Sequence, residues 1–213
     1  MIFGGQRILV LSPHTDDAEL GCGGTIARLI REGSEVKIVV FSRCEDSLPP
    51  ELPKNALEFE CLAALSCLSV PSDNIDILTY KVRRFCDSRQ SILDLLVAIN
   101  RSFKPHTVFC PSPGDIHQDH RTVSEEAQRA FKHCTLLGYE LPWNDSRFCC
   151  DLFVSLNLED VSSKKSALMQ YESQIQVNRD YFRPEFVEEW SRFRGLQSGT
   201  KFAEAFEVYR IRV

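Results

Sequence analysis

The chain has 213 residues, 43% hydrophobic and 26% charged, enough to bury the core of one α/β domain. A formal net charge of -5 argues against an electrostatic nucleic-acid partner, because such a protein needs an excess of Lys and Arg to neutralise phosphates. No apolar run approaches the ~18 residues of a membrane span, and the first residues lack the charged and apolar regions of a signal peptide.

The apolar run Ile8 to Leu11 is too short for a helix and reads as a buried parallel strand, about 7 to 12, ended by Ser12 and Pro13. A helix is expected from about 22 to 33, with Gly33 as its stop. Val36 to Ser42 is a second buried strand, which completes a right-handed βαβ crossover. The polar, proline-containing loop 43–53 leaves the same sheet edge and is a candidate substrate wall. A helix over 54–68 follows, with Leu57, Cys61, Ala64, Leu65 and Leu68 at helical spacing. Ile75 to Leu78 is a third strand. Ser88 to Ser102 is a helix with Ile92, Leu95, Leu96 and Ile99 on one face and Ser88 as its N-cap.

Thr107 to Cys110 is a fourth strand and Arg121 to Cys134 a helix. Tyr139 to Leu141 and Leu152 to Leu156 read as strands, Ser162 to Ser173 and Pro184 to Phe193 as helices. Phe206 to Val213 closes the chain as a strand that could pair antiparallel. No repeat, linker or composition shift divides the chain. The expectation is a single domain, 1–213, of α/β class: a Rossmann-like three-layer αβα sandwich around a mostly parallel sheet.

Chemistry concentrates after two of the strands. The first is followed by His14, Asp16, Asp17 and Glu19, where open α/β sheets place their active sites. His14 and Asp17 are three apart, so a tight turn can aim both at one point. Neutral imidazole and carboxylate suit Zn²⁺, with Fe²⁺ as the other candidate. Two ligands do not make a catalytic site. Two of the four remaining histidines sit in Gly114-Asp-Ile-His-Gln-Asp-His-Arg121, again just past a short apolar run. Three protein ligands and an open fourth position would be a catalytic metal site rather than a structural one. Each motif alone has a plainer reading: Asp16 and Asp17 could cap the following helix, and His120 could be a surface residue at a helix start. His106 and His133 lack such surroundings.

At these motifs the sequence resembles the PIG-L/LmbE-like zinc-dependent N-deacetylases, whose members act mainly on N-acetylglucosamine-type sugars. The family pattern stands here as Pro13-His14-Thr15-Asp16-Asp17-Ala18-Glu19 and His117-Gln118-Asp119-His120, with Thr15 where proline is usual. The similarity extends to 20–27, to 138–144 and to the tail 199–206, pieces that look like the bacterial branch. The resemblance implies His14, Asp17 and His120 as zinc ligands and Asp16 as the general base. It implies that His117, when protonated, stabilises the oxyanion and protonates the leaving amine, with Asp119 holding His117 in the right tautomer. Glu19 would orient the first loop. Arg43, Trp143, Asn144 and Glu204 are candidate substrate-binding residues.

Two other readings fail. Glu19-Leu-Gly-Cys-Gly-Gly24 resembles an S-adenosylmethionine loop, but its acidic residue stands too far from the first strand, and position 26 is Ile where a third dinucleotide-loop glycine would fall. No Gly-x-Ser-x-Gly elbow is present. The nine cysteines form no Cys-x-x-Cys pair and read mostly as small buried hydrophobes, which fits a reducing cytoplasm. The expected partner is a small N-acetylated sugar, with no integral membrane segment; the sequence leaves a homo-oligomer open. The alternatives are a catalytically idle sugar-binding module of the same fold and a metal-dependent hydrolase of a non-sugar amide.

Overall fold

The computed structural model describes residues 5–212. Seven strands form one sheet in the order β3-β2-β1-β4-β5-β7-β6. β1 (Arg7–Ser12), β2 (Glu35–Val40), β3 (Ile75–Ile77), β4 (Thr107–Pro111) and β5 (Thr135–Tyr139) are parallel. β7 (Phe202–Arg210) pairs antiparallel with β5 and with β6 (Leu152–Leu156). The closing strand therefore begins four residues before the expected Phe206, and Val213 lies outside the described residues.

β1 is apolar without alternation because both of its faces are covered. Ile8 and Val10 pack with α1 (Asp17–Arg31), α2 (Ala56–Cys67) and α5 (Leu158–Leu168). Leu9 and Leu11 pack with α3 (Arg89–Phe103) and α4 (Gln118–Ala130). All four side chains are fully buried, each stabilising the fold by about 1.5–3 kcal/mol. The predicted stripe of α2 is buried throughout, from Leu57 to Leu68. The short α6 (Glu172–Gln176) and α7 (Pro184–Ser198) lead to the closing strand; the helix expected over 162–173 is instead the end of α5 and the start of α6.

The largest departure is in α1, which starts at Asp17 rather than near 22 and bends at Cys22, φ -148 and ψ 24. The cause is an inserted ion pair. Lys164 Nζ donates to the Leu20 carbonyl and to Glu204 Oε1, both at 2.7 Å, while Glu204 accepts the Gly24 N–H at 3.0 Å and the Thr25 N–H at 2.7 Å. In a regular helix the Gly24 N–H would bond to the Leu20 carbonyl. The buried pair takes both partners, and the helix kinks where its ladder is opened. Glycine at 24 permits this approach: a Cβ there would lie 2.5 Å from Leu156 Cδ1.

Because β2 and β3 lie on one side of β1, and β4 and β5 on the other, the β1/β4 junction is a topological switch point. Both histidine motifs leave the C-terminal ends of these two neighbouring strands, where such sheets bind ligands.

Candidate metal centre

The loop after β1 is held from several sides. Ser12 Oγ donates to the His14 carbonyl at 2.6 Å and accepts the Ala18 N–H at 3.0 Å. The Tyr171 hydroxyl reaches both the Thr15 carbonyl and Glu19 Oε1. Thr15 is buried, so the turn is fixed by these contacts without the ring of a proline. The His14 N–H donates to Asp17 Oδ2 at 2.8 Å, which closes the turn onto the His-Asp pair.

Three atoms converge. Asp17 Oδ2 is 3.1 Å from His14 Nδ1 and 3.1 Å from His120 Nε2, and the two nitrogens are 3.0 Å apart. The far side of each ring is occupied. His14 Nε2–H donates to Asp119 Oδ2 at 3.0 Å, and His120 Nδ1–H donates to Asp115 Oδ2 at 2.6 Å. The two inner nitrogens are thus left as acceptors beside a carboxylate oxygen, an arrangement that requires a cation or a proton between them. Tetrahedral zinc with bonds of 2.0–2.1 Å sets its ligands about 3.3 Å apart, close to this spacing. His117 joins the group: one nitrogen from each of His14, His117 and His120 lies within 4.8 Å of the others, forming a three-imidazole metal-binding cluster.

The electrostatics favour positive charge at this point. Burial opposes protonation of His120, but Asp17 and Asp115 push its pKa up to about 10. His14 is raised in the same way, against its burial, by Asp17 and Asp119. Asp17 would be raised by burial, yet His120 and His14 hold it well below the usual carboxylate range. A cluster with so high an affinity for protons is equally suited to a divalent ion.

Asp16 stands at the N-cap position of α1 but makes no side-chain capping bond. It lines a cavity of about 820 Å³ together with His14, Asp17, His117 and His120. Burial, then repulsion from Asp17, pushes its pKa up to about 6, with His14 and Arg179 opposing. The helix-cap explanation of this residue therefore fails, and the carboxylate is left for chemistry.

Four sequence expectations need correction. The Asp119 carboxylate orients His14, not His117; it also accepts the Arg83 N–H at 2.6 Å and the Phe85 N–H at 3.2 Å. It is the Asp119 backbone N–H that donates to His117 Nδ1, at 3.2 Å. His117 is the N-cap of α4, so its neutral form carries the proton on Nε2. Burial, then His120 and His14, push its pKa down to about 4, which disfavours the imidazolium that the resemblance implies. Glu204 is not in the pocket but behind it, in the α1 brace. Arg43 lies in a smaller cavity of about 200 Å³ and pairs with Glu58 at 3.3 Å, just before the left-handed turn at Cys44, φ 56.

Trp143 and Asn144 do line the main cavity, as do Asp46, Ser47, Leu48 and Pro49 of the loop after β2. Sequence reasoning missed Asp115, although it stands in the second motif, because nothing in its spacing to His120 signals a shared hydrogen bond. It also missed Arg83, Arg179 and Tyr181, brought to the cavity from remote turns. His106 has a structural role: its Nδ1 accepts the Arg7 N–H at 3.0 Å. No described helix is long and apolar enough to cross a membrane.

Residues 9–131 match the family model described as PIG-L: GlcNAc-PI de-N-acetylase. A curated relative, the uncharacterized deacetylase YaiS of Escherichia coli K12, is 27% identical over 179 residues, 79% of this chain and 91% of the relative. Among solved structures, the conserved protein TT1542 of Thermus thermophilus superposes with a TM-score of 0.81 at 26% identity, covering 98% of this chain and 96% of that one. GalB, the 4-carboxy-2-hydroxymuconate hydratase of Pseudomonas putida KT2440, superposes with a TM-score of 0.77 at 20% identity over 98% of both chains, a likeness of fold. One fold thus carries more than one reaction, and the activity has to be read from the site.

Proposed function

The chain belongs to the PIG-L family of metal-dependent deacetylases, which act on amide bonds, and from that premise we propose that it uses zinc to hydrolyse the acetamide of an N-acetylglucosamine-type sugar or sugar conjugate. The observation that carries the reading is the pairing of an unspent carboxylate, Asp16, with the triangle of His14, Asp17 and His120 on one cavity wall.

His14 Nδ1, Asp17 Oδ2 and His120 Nε2 would hold the zinc. When bound, the ion supplies a Lewis acid for the acetyl carbonyl and lowers the pKa of water. Asp16, with its pKa raised to about 6, accepts the proton of the attacking water near neutral pH. His117 Nε2–H donates to the carbonyl oxygen as negative charge builds there, its tautomer fixed by the Asp119 N–H at Nδ1. The proton held by Asp16 passes to the nitrogen as the C–N bond breaks, releasing acetate and a free amino sugar. Asp115 and Asp119 keep the two rings oriented. The ring of Trp143, stacked on Tyr181 with centroids 3.9 Å apart, offers the sugar a flat wall. The nine free cysteines fit a reducing, cytoplasmic setting.

The test is amine release from N-acetylglucosamine and a panel of its conjugates, using metal-stripped protein with and without added Zn²⁺ or Fe²⁺. Zinc-dependent release is expected. No release with one zinc bound per chain would move the reading to a non-sugar amide or to a binding role.

A further inference from the structure

Among the described residues, two arginines that line the metal cavity, Arg83 and Arg179, make no salt bridge, although Arg179 is near enough to Asp16 to oppose the rise of its pKa. Many arginines elsewhere are ion-paired, such as Arg31 with Asp160 at 3.0 Å and Arg89 with Glu125 at 2.8 Å, or are spent on backbone carbonyls, such as Arg7 on Phe103 at 2.9 Å and Arg210 on Phe131 at 3.2 Å. Among the described residues, the Arg83 guanidinium has one hydrogen-bond partner, Ser47 Oγ at 3.5 Å, and that of Arg179 has one, the Tyr181 hydroxyl at 2.8 Å. Both arginines line the same wall system as His14, Asp16 and His117.

Both side chains are exposed at the cavity mouth, and each residue is anchored to the site. Arg83 has φ 65, a left-handed conformation that costs a residue with a Cβ about 1 kcal/mol. It is kept there by its N–H bond to Asp119 Oδ2, the same oxygen that accepts His14 Nε2–H. The backbone of Arg83 is therefore pinned to the support of a metal-binding histidine. Arg179 is held through Tyr181, which stacks on Trp143 at an interplanar angle of 12°. Each guanidinium carries five N–H donors, so most remain for a ligand. Positioned guanidiniums with free donors are the usual means of binding carboxylate or phosphate, often bidentately. A neutral acetamido sugar offers them no counter-charge.

We infer that the substrate carries an anionic group, a carboxylate or a phosphate, in addition to its acetamide, and that Arg83 and Arg179 select for it. This rests on the deacetylase reading above. The test uses zinc-loaded wild type, Arg83→Ala, Arg179→Ala, the double variant and the two Lys variants. The substrates are the methyl glycoside of N-acetylglucosamine, its carboxymethyl glycoside and the 1-phosphate. Wild type should prefer an anionic substrate by about ten-fold or more in kcat/KM, which corresponds to about 1.4 kcal/mol. The double variant should lose that preference, chiefly through KM, and the Lys variants should recover part of it. The preferred anion tells carboxylate from phosphate. Equal kcat/KM on neutral and anionic substrates, or variants that slow all three alike, would overturn the inference while leaving the deacetylase reading intact. If no sugar is turned over, the deacetylase reading fails instead. Calorimetry with glucosamine 1-phosphate and methyl glucosaminide then decides the inference. An arginine-dependent preference for the phosphate supports it, and equal affinities refute it.

Discussion

The start and the kink of α1 bury charge in opposite ways. Behind the helix, Lys164 and Glu204 satisfy each other and take up the Leu20 carbonyl and the Gly24 and Thr25 N–H groups. In front, His14, Asp17 and His120 meet as acceptors 3.0–3.1 Å apart, and Asp16 leaves its own helix uncapped. Both clusters are buried and charged. The rear one is complete without a ligand and serves the fold; the front one needs a metal ion or a proton to complete it and is the candidate for chemistry. Internal satisfaction, rather than burial or charge, separates structure from site.

The sharpest way to break this contrast is to empty the front cluster. His120→Ala should remove the metal and lower activity by more than about 1,000-fold, while the metal-free protein stays folded. Zinc content by elemental analysis and circular dichroism check both halves; a variant that keeps its zinc would refute the ligand set.

The rear cluster should respond in stability rather than chemistry. Lys164→Met strands Glu204 in the core and should cost about 3–5 kcal/mol in urea unfolding. Lys164→Met combined with Glu204→Gln should recover part of that, because a neutral amide oxygen still accepts the Gly24 and Thr25 N–H groups. Zinc binding in the folded fraction should be unaltered. A loss of zinc affinity without a loss of stability would place Glu204 at the site after all.

Glu19 offers a smaller and pH-dependent effect. It is fully buried, its Oε2 has no partner among the described residues, and burial pushes its pKa up to about 8. The Tyr171 hydroxyl has one proton for two acceptors, so a proton on Glu19 relieves the competition. The folded pKa lies above the unfolded value near 4.5, so the native state holds this proton longer. Its share of stability is fully present below about pH 4.5 and falls as pH rises toward about 8. Glu19→Gln should remove that decline in metal-free protein, gaining on wild type as pH is raised from 5 to 8. Parallel stability curves for the two proteins would show that Glu19 is ionised throughout.

Much of this was legible in the sequence. The order of elements follows from short apolar runs and helical stripes, and the two histidine motifs gave every atom of the triangle. What stayed hidden depends on distance in space. Asp115 and Asp119 divide the support of His120 and His14 in a way that spacing does not reveal, since Asp119 passes over its neighbour His117 to reach His14 in the other motif. Glu204 sits in a tail that resembles the family, yet resemblance alone could not separate a pocket residue from a brace. The start of α1 is hidden because three glycines read as a loop, whereas Gly21 admits Tyr139, Gly23 admits Lys164, and Gly24 admits Leu156 and Glu204 against a kinked helix. Arg83 and Arg179 come from turns with no motif at all.

The most direct test of the central claim is a paired measurement on Asp16→Asn: zinc per chain and the rate of amine release from N-acetylglucosamine or its preferred conjugate. The account predicts one zinc per chain, as in wild type, with the rate lowered about 100- to 10,000-fold, because the base is lost while the triangle remains. A variant that binds zinc and turns over at the wild-type rate would contradict it, since the unspent carboxylate on the cavity wall would then have no part in the reaction.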